Sequence, residues 1–208
     1  MSIGSLSKFT VPLASDSSSS AQGILMPKLK YRFRIMFENF GVSTPTTELT
    51  KQVAASKRPV AKFGDIKLEV YNSTMHLAGR GTWDPITVDL RDDVTGSVSK
   101  LVGEQMQKQF DFLEQASAAA GGDYKFTMRL EMLDGGNGKD AVVLETWECY
   151  GCYVVQVDYD AISYATQEAA MIKLSIQPDN CIQTTGASAM KKSTRGTSTA
   201  TTGGGARA

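Results

Sequence analysis

The chain has 208 residues, with 22 basic and 22 acidic side chains and one histidine, so its formal charge at neutral pH is zero. That length bounds the fold to one domain or at most two small ones, and the balance excludes a global field that would gather nucleic acid or an anionic membrane. No apolar run approaches the roughly 18 residues needed to cross a bilayer, and the first residues lack a basic stretch ahead of an apolar core, so no secretory signal is expected.

The N-terminal segment, 1–26, reads as a Ser-rich arm: residues 14–23 run Ala-Ser-Asp-Ser-Ser-Ser-Ser-Ala-Gln-Gly and hold nothing that could build a core. The body, 27–182, opens on Tyr31, Phe33, Ile35 and Phe37 alternating with Lys30, Arg32, Arg34 and Glu38, which predicts a half-buried strand with a charged outer face. Leu49 to Ala54 reads as a weaker strand, followed by an irregular stretch around Lys57-Arg58-Pro59. Ile66–Tyr71 and Met75–Leu77 read as extended. Ala78-Gly79-Arg80-Gly81 then predicts a Gly-bounded turn, and Thr82-Trp83 leads into a strand with Ile86, Val88 and Leu90 on one face and Thr87, Asp89 and Arg91 on the other. Asp92 and Asp93 follow, placed to put negative charge at the N-terminal end of a helix.

From Ser97 to Gln115 the period changes. Val98, Leu101, Val102, Gln105, Met106, Phe110 and Leu113 recur at three- and four-residue steps and predict an amphipathic helix. Gly121-Gly122 ends the Ala-rich extension after it. Tyr124, Phe126, Met128, Leu130 and Met132 alternate with charged and polar partners, Asp134-Gly135-Gly136-Asn137-Gly138 predicts a hairpin turn, and Ala141–Tyr150 returns as the partner strand. Tyr153–Val157 and Ala169–Gln177 form the last predicted pair, with Ala170, Ile172, Leu174 and Ile176 on one face. Residues 183–208 form a Thr/Ser/Gly-rich tail carrying Lys191, Lys192, Arg195 and Arg207 and no acid. Many strands with one helix past the middle predict a mainly β fold: an antiparallel barrel or sandwich flanked by a helix.

Nothing in this order builds a catalytic centre. His76 has no linked nucleophile or acid in a recognisable motif, and Gly135-Gly136-x-Gly138 precedes neither a helix pattern nor a Lys-Ser/Thr pair. Trp83 and Trp147 sit in strand patterns, where packing is their ordinary role. Cys149 and Cys152 have a C-x-x-C spacing and Cys181 stands apart, but the fourth ligand of a zinc site is lacking and the pair lies between strands rather than at a strand-to-helix turn. No enzyme activity, cofactor or metal is expected.

The stretch Leu77 to Asp93, with its Ala78-Gly79, Thr82-Trp83 and terminal Asp92-Asp93, resembles the signature of the tail-tube family of contractile phages. The later segment Trp147–Val155, an aromatic strand running into a turn and on toward Asp158 or Asp160, is similar to the same family, and the resemblance covers about residues 25–180. It implies a hexameric ring whose β-barrels join into one lumen. Rings then stack into a tube inside a sheath, and genomic DNA passes through without sequence-specific binding. The implied partners are further copies of the chain, the sheath protein, the baseplate hub, the tape measure and the tail terminator, with no membrane. Such a protein assembles in the bacterial host cytoplasm and resides in the virion tail. The same fold serves type VI secretion tubes, other contractile injection systems and tail adaptor rings; a carbohydrate-binding or enzymatic β-sandwich is the reading from a different class.

A DNA conduit should repel phosphate, which makes Glu131, Glu145, Asp158, Asp160 and Glu168 candidate lumen acids. For each, a solvated face or a cross-strand ion pair is the ordinary alternative. The three thiols, Cys149, Cys152 and Cys181, are either buried or semi-exposed free thiols, or available for bonds between subunits once the particle has left the reducing cell.

Overall fold

The computed structural model describes residues 5–10, 23–25, 27–43, 46–135, 141–165 and 167–185. Most of the Ser-rich arm, the centre of the turn at 134–138 and the tail beyond 185 lie outside the described residues. In chain order the elements are β1 (Ser5–Thr10), β2 (Gly23–Leu25), β3 (Phe33–Glu38), α1 (Thr47–Gln52), β4 (Val53–Ser56), β5 (Ala61–Val70), β6 (Ser73–Trp83), β7 (Ile86–Arg91) and α2 (Ser97–Gln109), then β8 (Phe110–Asp111), β9 (Ala116–Ser117), α3 (Gly121–Tyr124), β10 (Phe126–Leu133), β11 (Val143–Tyr159), β12 (Met171–Gln177) and β13 (Asn180–Thr185).

One antiparallel sheet carries the core, in the order β3-β10-β11-β12-β7-β4, with β13 also paired to β11. The alternation read from the sequence sets its inner face. Ile35 and Phe37 of β3, Met128 and Leu130 of β10, Ile172, Leu174 and Ile176 of β12, and Ile86, Val88 and Leu90 of β7 are all buried. Val98, Leu101 and Val102 cover this face from α2. The buried Gln105 of the same helix accepts a hydrogen bond from the Gly41 amide at 3.0 Å and donates to the Tyr124 carbonyl at 2.7 Å, so its amide is satisfied inside the core.

Three expectations are corrected. Residues 47–52 coil into α1 rather than extend: Glu48, Leu49, Lys51 and Gln52 are good helix formers, and the turn drives Leu49 fully into the core. Only Val53–Ser56 then remain to pair, and they pair with β7, so β3 and β4 end the sheet without joining each other. The barrel is therefore open, with a cleft of about 530 Å³ between Phe33 and Ile35 on one side and Val53 and Ala55 on the other. Second, α2 stops at Gln109 instead of Gln115. The Gln109 side chain donates to the Val154 carbonyl and accepts from the Val154 amide, both at 2.9 Å, and so copies a strand's hydrogen bonds at the edge of β11. Phe110 turns to extended backbone there, leaving Phe112 and Leu113 exposed.

Third, the two strands predicted at 141–150 and 153–157 are one. Gly151 has φ +64°, which an L side chain rarely adopts, and a Cβ there would run into the Asp179 carboxylate. The glycine bends β11 without ending it, so its first half pairs with β10 and its second with β12. The sequence reading had no strand at 180–185. Following Pro178-Asp179, β13 continues the line of β12 along the other side of the first half of β11.

Candidate assembly surface

The Gly-bounded turn expected at 78–81 is not a turn. Those residues are the middle of β6, which pairs with β5 over Ala61↔Trp83 to Val70↔Ser73 in a long two-stranded hairpin. The register slips between Phe63 and Asp65, a bulge set by two glycines in close approach: a Cβ on Gly79 would stand 3.1 Å from the Gly64 carbonyl oxygen. At the root, the Asp84 amide donates to the Val60 carbonyl at 2.9 Å, Lys62 pairs with Asp84 at 2.9 Å, and the Gln177 amide donates to the Trp83 carbonyl at 2.8 Å. Trp83 packs edge-on to Trp147 with centroids 6.5 Å apart. Gly79 thus shapes the arm and Trp83 anchors its base, while Ala78 and Thr82 are strand residues opposite Asp65 and Lys62.

Strand alternation divides the arm into two faces. Ile66, Leu68 and Val70 of β5 lie on the same side as their cross-strand partners Leu77, Met75 and Ser73, and the five apolar side chains among them are all exposed. Asp65, Lys67, Glu69 and His76 take the other side, with His76 Nδ1 2.9 Å from the Asp65 carboxylate. His76 is therefore a surface pairing residue. Tyr71 sits at the tip with φ 44° and is fully exposed; Phe63 is 71 % exposed near the bulge. A two-stranded ribbon with one bare apolar face is marginal alone in water, and contiguous apolar surface of this kind marks an interaction site.

At the other end of the motif, Asp93 rather than Asp92 serves α2. Its carboxylate accepts from Ser97 Oγ at 2.6 Å, from the Thr95 hydroxyl and from the Val98 amide at 3.1 Å. These bonds, the Ser97 hydroxyl first, hold the carboxyl well below the usual range. The Asp92 carboxylate accepts from the Asp93 amide at 3.0 Å. Glu104 was not singled out from the sequence, yet it ties the loop after β3 to α2. Ser43 Oγ and the Ser43 and Val42 amides all donate to it, and they pull its pKa from 4.5 to about 2.

The candidate acids fall into two groups. Glu131 is buried, with Arg34 Nε at 2.9 Å and Nη2 at 2.5 Å from one of its oxygens. Glu145 is also buried: burial pushes its carboxyl up, but the hydrogen bonds from Lys28 and Trp147 and the charges of Lys28 and Arg58 outweigh it and leave the group below its ordinary value. Asp158, Asp160 and Glu168 are exposed, Asp160 lying 3.5 Å from Lys173 Nζ. Asp158 faces Lys173 in the sheet register, and Lys173 faces Asp89 of β7. Arg129 of β10 reaches both Glu38 and Glu148, at 3.5 and 3.3 Å. The outer side of the sheet is thus a mixed-charge face. All three thiols are free and buried within the single chain. Among the described residues no group of three or more His, Cys, Asp or Glu side chains could hold a metal, and no helix there is long and apolar enough to cross a membrane.

Solved structures of tube and tube-cap proteins superpose on this fold. The tube-terminating cap of the anti-feeding prophage superposes with a TM-score of 0.56 at 11% identity, over 83% of this chain and 98% of that one. A chain of the sheath-tube complex of the PVC extracellular contractile injection system gives 0.53 at 11%, over 76% and 90%, and the SPP1 tail tube gives 0.50 at 11%, over 76% and 78%. No protein-family model and no curated protein matches the sequence. The likeness is one of fold, and it agrees with the tail-tube resemblance carried by the motif at 77–93.

Proposed function

We propose that the chain is the structural protein of the inner tail tube of a contractile phage, in which hexameric rings stack into the conduit for DNA within the sheath. The observation that carries this reading is the β5–β6 arm, whose apolar face is uncovered in one chain, on a fold shared with tube proteins. A repeated contact of that sort, made head to tail, propagates into rings or filaments instead of closing as a dimer. The open edges of β3, β4 and β13 add strand-pairing surface that a lone chain leaves bare among the described residues. Lumen repulsion of phosphate falls to exposed acids, which among the five candidates are Asp158, Asp160 and Glu168. The proposed partners beyond further copies of the chain are the sheath, baseplate hub, tape measure and terminator.

A second reading is favoured by the cap likeness, which spans nearly the whole of that chain: a terminator or adaptor ring of the same fold, or a tube of another contractile injection system. Light scattering coupled to size exclusion tests the shared part. The wild-type chain should run as hexamers or larger species, and a variant with Ile66→Ser and Leu68→Ser as smaller ones with an unchanged circular dichroism spectrum. Identical elution of both as monomers overturns ring assembly through the arm.

A further inference from the structure

Cys149 of β11 and Cys181 of β13 are 32 positions apart in the chain and directly opposite in the register of the two strands. Residues so opposed in an antiparallel pair have Cα atoms about 4.5–5.5 Å apart, inside the window a disulfide needs. Their sulfurs are 3.1 Å from one another, in a pocket from which solvent is excluded. Cys152 is engaged elsewhere: its thiol donates to the Cys149 carbonyl at 3.2 Å, and in the strand register it faces Phe126 of β10, not Cys181. We propose that Cys149 and Cys181 form an intrachain disulfide that staples the last described strand to the spine of the sheet once the protein meets an oxidising medium, with Cys152 remaining a thiol. The inference does not depend on the tube reading.

The oxidant is a low-molecular-weight disulfide. One protein thiolate attacks a sulfur of that disulfide, releasing one thiol and leaving a mixed disulfide on the chain. The second protein thiolate then displaces the remaining fragment as a second thiol and closes the Cys149–Cys181 bond. Both protein thiols lose their protons, and the two electrons they give up reduce the oxidant. Access comes from β13, which lies off the main strand path and pairs only with β11 among the described residues. Burial pushes Cys152 up to about 12, and the Cys181 contact together with burial raises Cys149 further, so little thiolate exists while the strand is docked. The reaction is accordingly slow in the closed fold and follows fraying of β13.

The full chain, purified with reductant, is equilibrated in glutathione buffers from fully reduced to fully oxidised, acid-quenched, alkylated in denaturant and mapped by peptide mass. The expected result is a linked Cys149–Cys181 peptide with both alkylation sites lost, Cys152 fully alkylated, a monomer band on non-reducing gels, and a Tm raised by roughly 5 °C or more. Cys152→Ser should keep the cross-link. Because the wild-type map is the primary reading, no variant has to fold for the test to decide. Three free thiols in the most oxidised buffer, a bridge that includes Cys152, or a bond between chains each overturns the proposal.

Discussion

Asp93, just ahead of α2, and Glu104, near its middle, do similar work, and their charge is what makes the work possible. Each carboxylate accepts several hydrogen bonds that favour the ionised form. Glu104 has a folded pKa of about 2 against 4.5, a depressed carboxyl, so its contribution is complete above 4.5 and disappears as pH falls from there toward 2. Acid titration of Tm should therefore show a loss over that window that Glu104→Gln reduces. Asp93→Ala should lower Tm by several degrees and Asp92→Ala by much less, read by thermal circular dichroism. The acidic pair was legible in the sequence as helix-start charge, whereas the choice between its members was not. It depends on Gly96 setting the loop so that Thr95, Ser97 and the Val98 amide converge on one carboxylate. Glu104 gave no signal, because its donors are more than sixty residues away in sequence.

The elements that sequence periodicity reads well are the ones with a single buried face. β3, β7, β10 and β12 follow their alternation closely. Periodicity failed where tertiary contacts override it. Phe110 and Leu113 continue the helical pattern of α2, but the Gln109 clamp on Val154 ends the helix before them. The glycines at 79 and 81 look like turn residues because glycine usually signals one; here Gly79 permits close backbone approach at a bulge. Gly79→Val should consequently disturb the arm and weaken assembly while leaving the Tm of the sheet within a few degrees of wild type, checked by thermal unfolding alongside light scattering. Gln109→Ala should cost about 1–3 kcal/mol in urea unfolding, since it strips the Val154 amide and carbonyl of their partners at a strand edge.

For the molecule as a whole, a mainly β antiparallel fold with one main helix past the middle was legible. The openness of the barrel was not, because it follows from six residues coiling into α1 and leaving β4 too short to reach β3. Nor was β13, a polar strand whose pairing with β11 spans more than thirty residues and is specified by register, not by local pattern. What a single chain leaves unsatisfied, an apolar arm and open sheet edges, is what a repeating assembly would cover. The most direct test is negative-stain electron microscopy of the purified full chain over a range of concentrations, alone and with preformed baseplates. The account predicts hollow sixfold rings that stack into tubes. Uniform monomers at every concentration, with no extension from added baseplates, would contradict it.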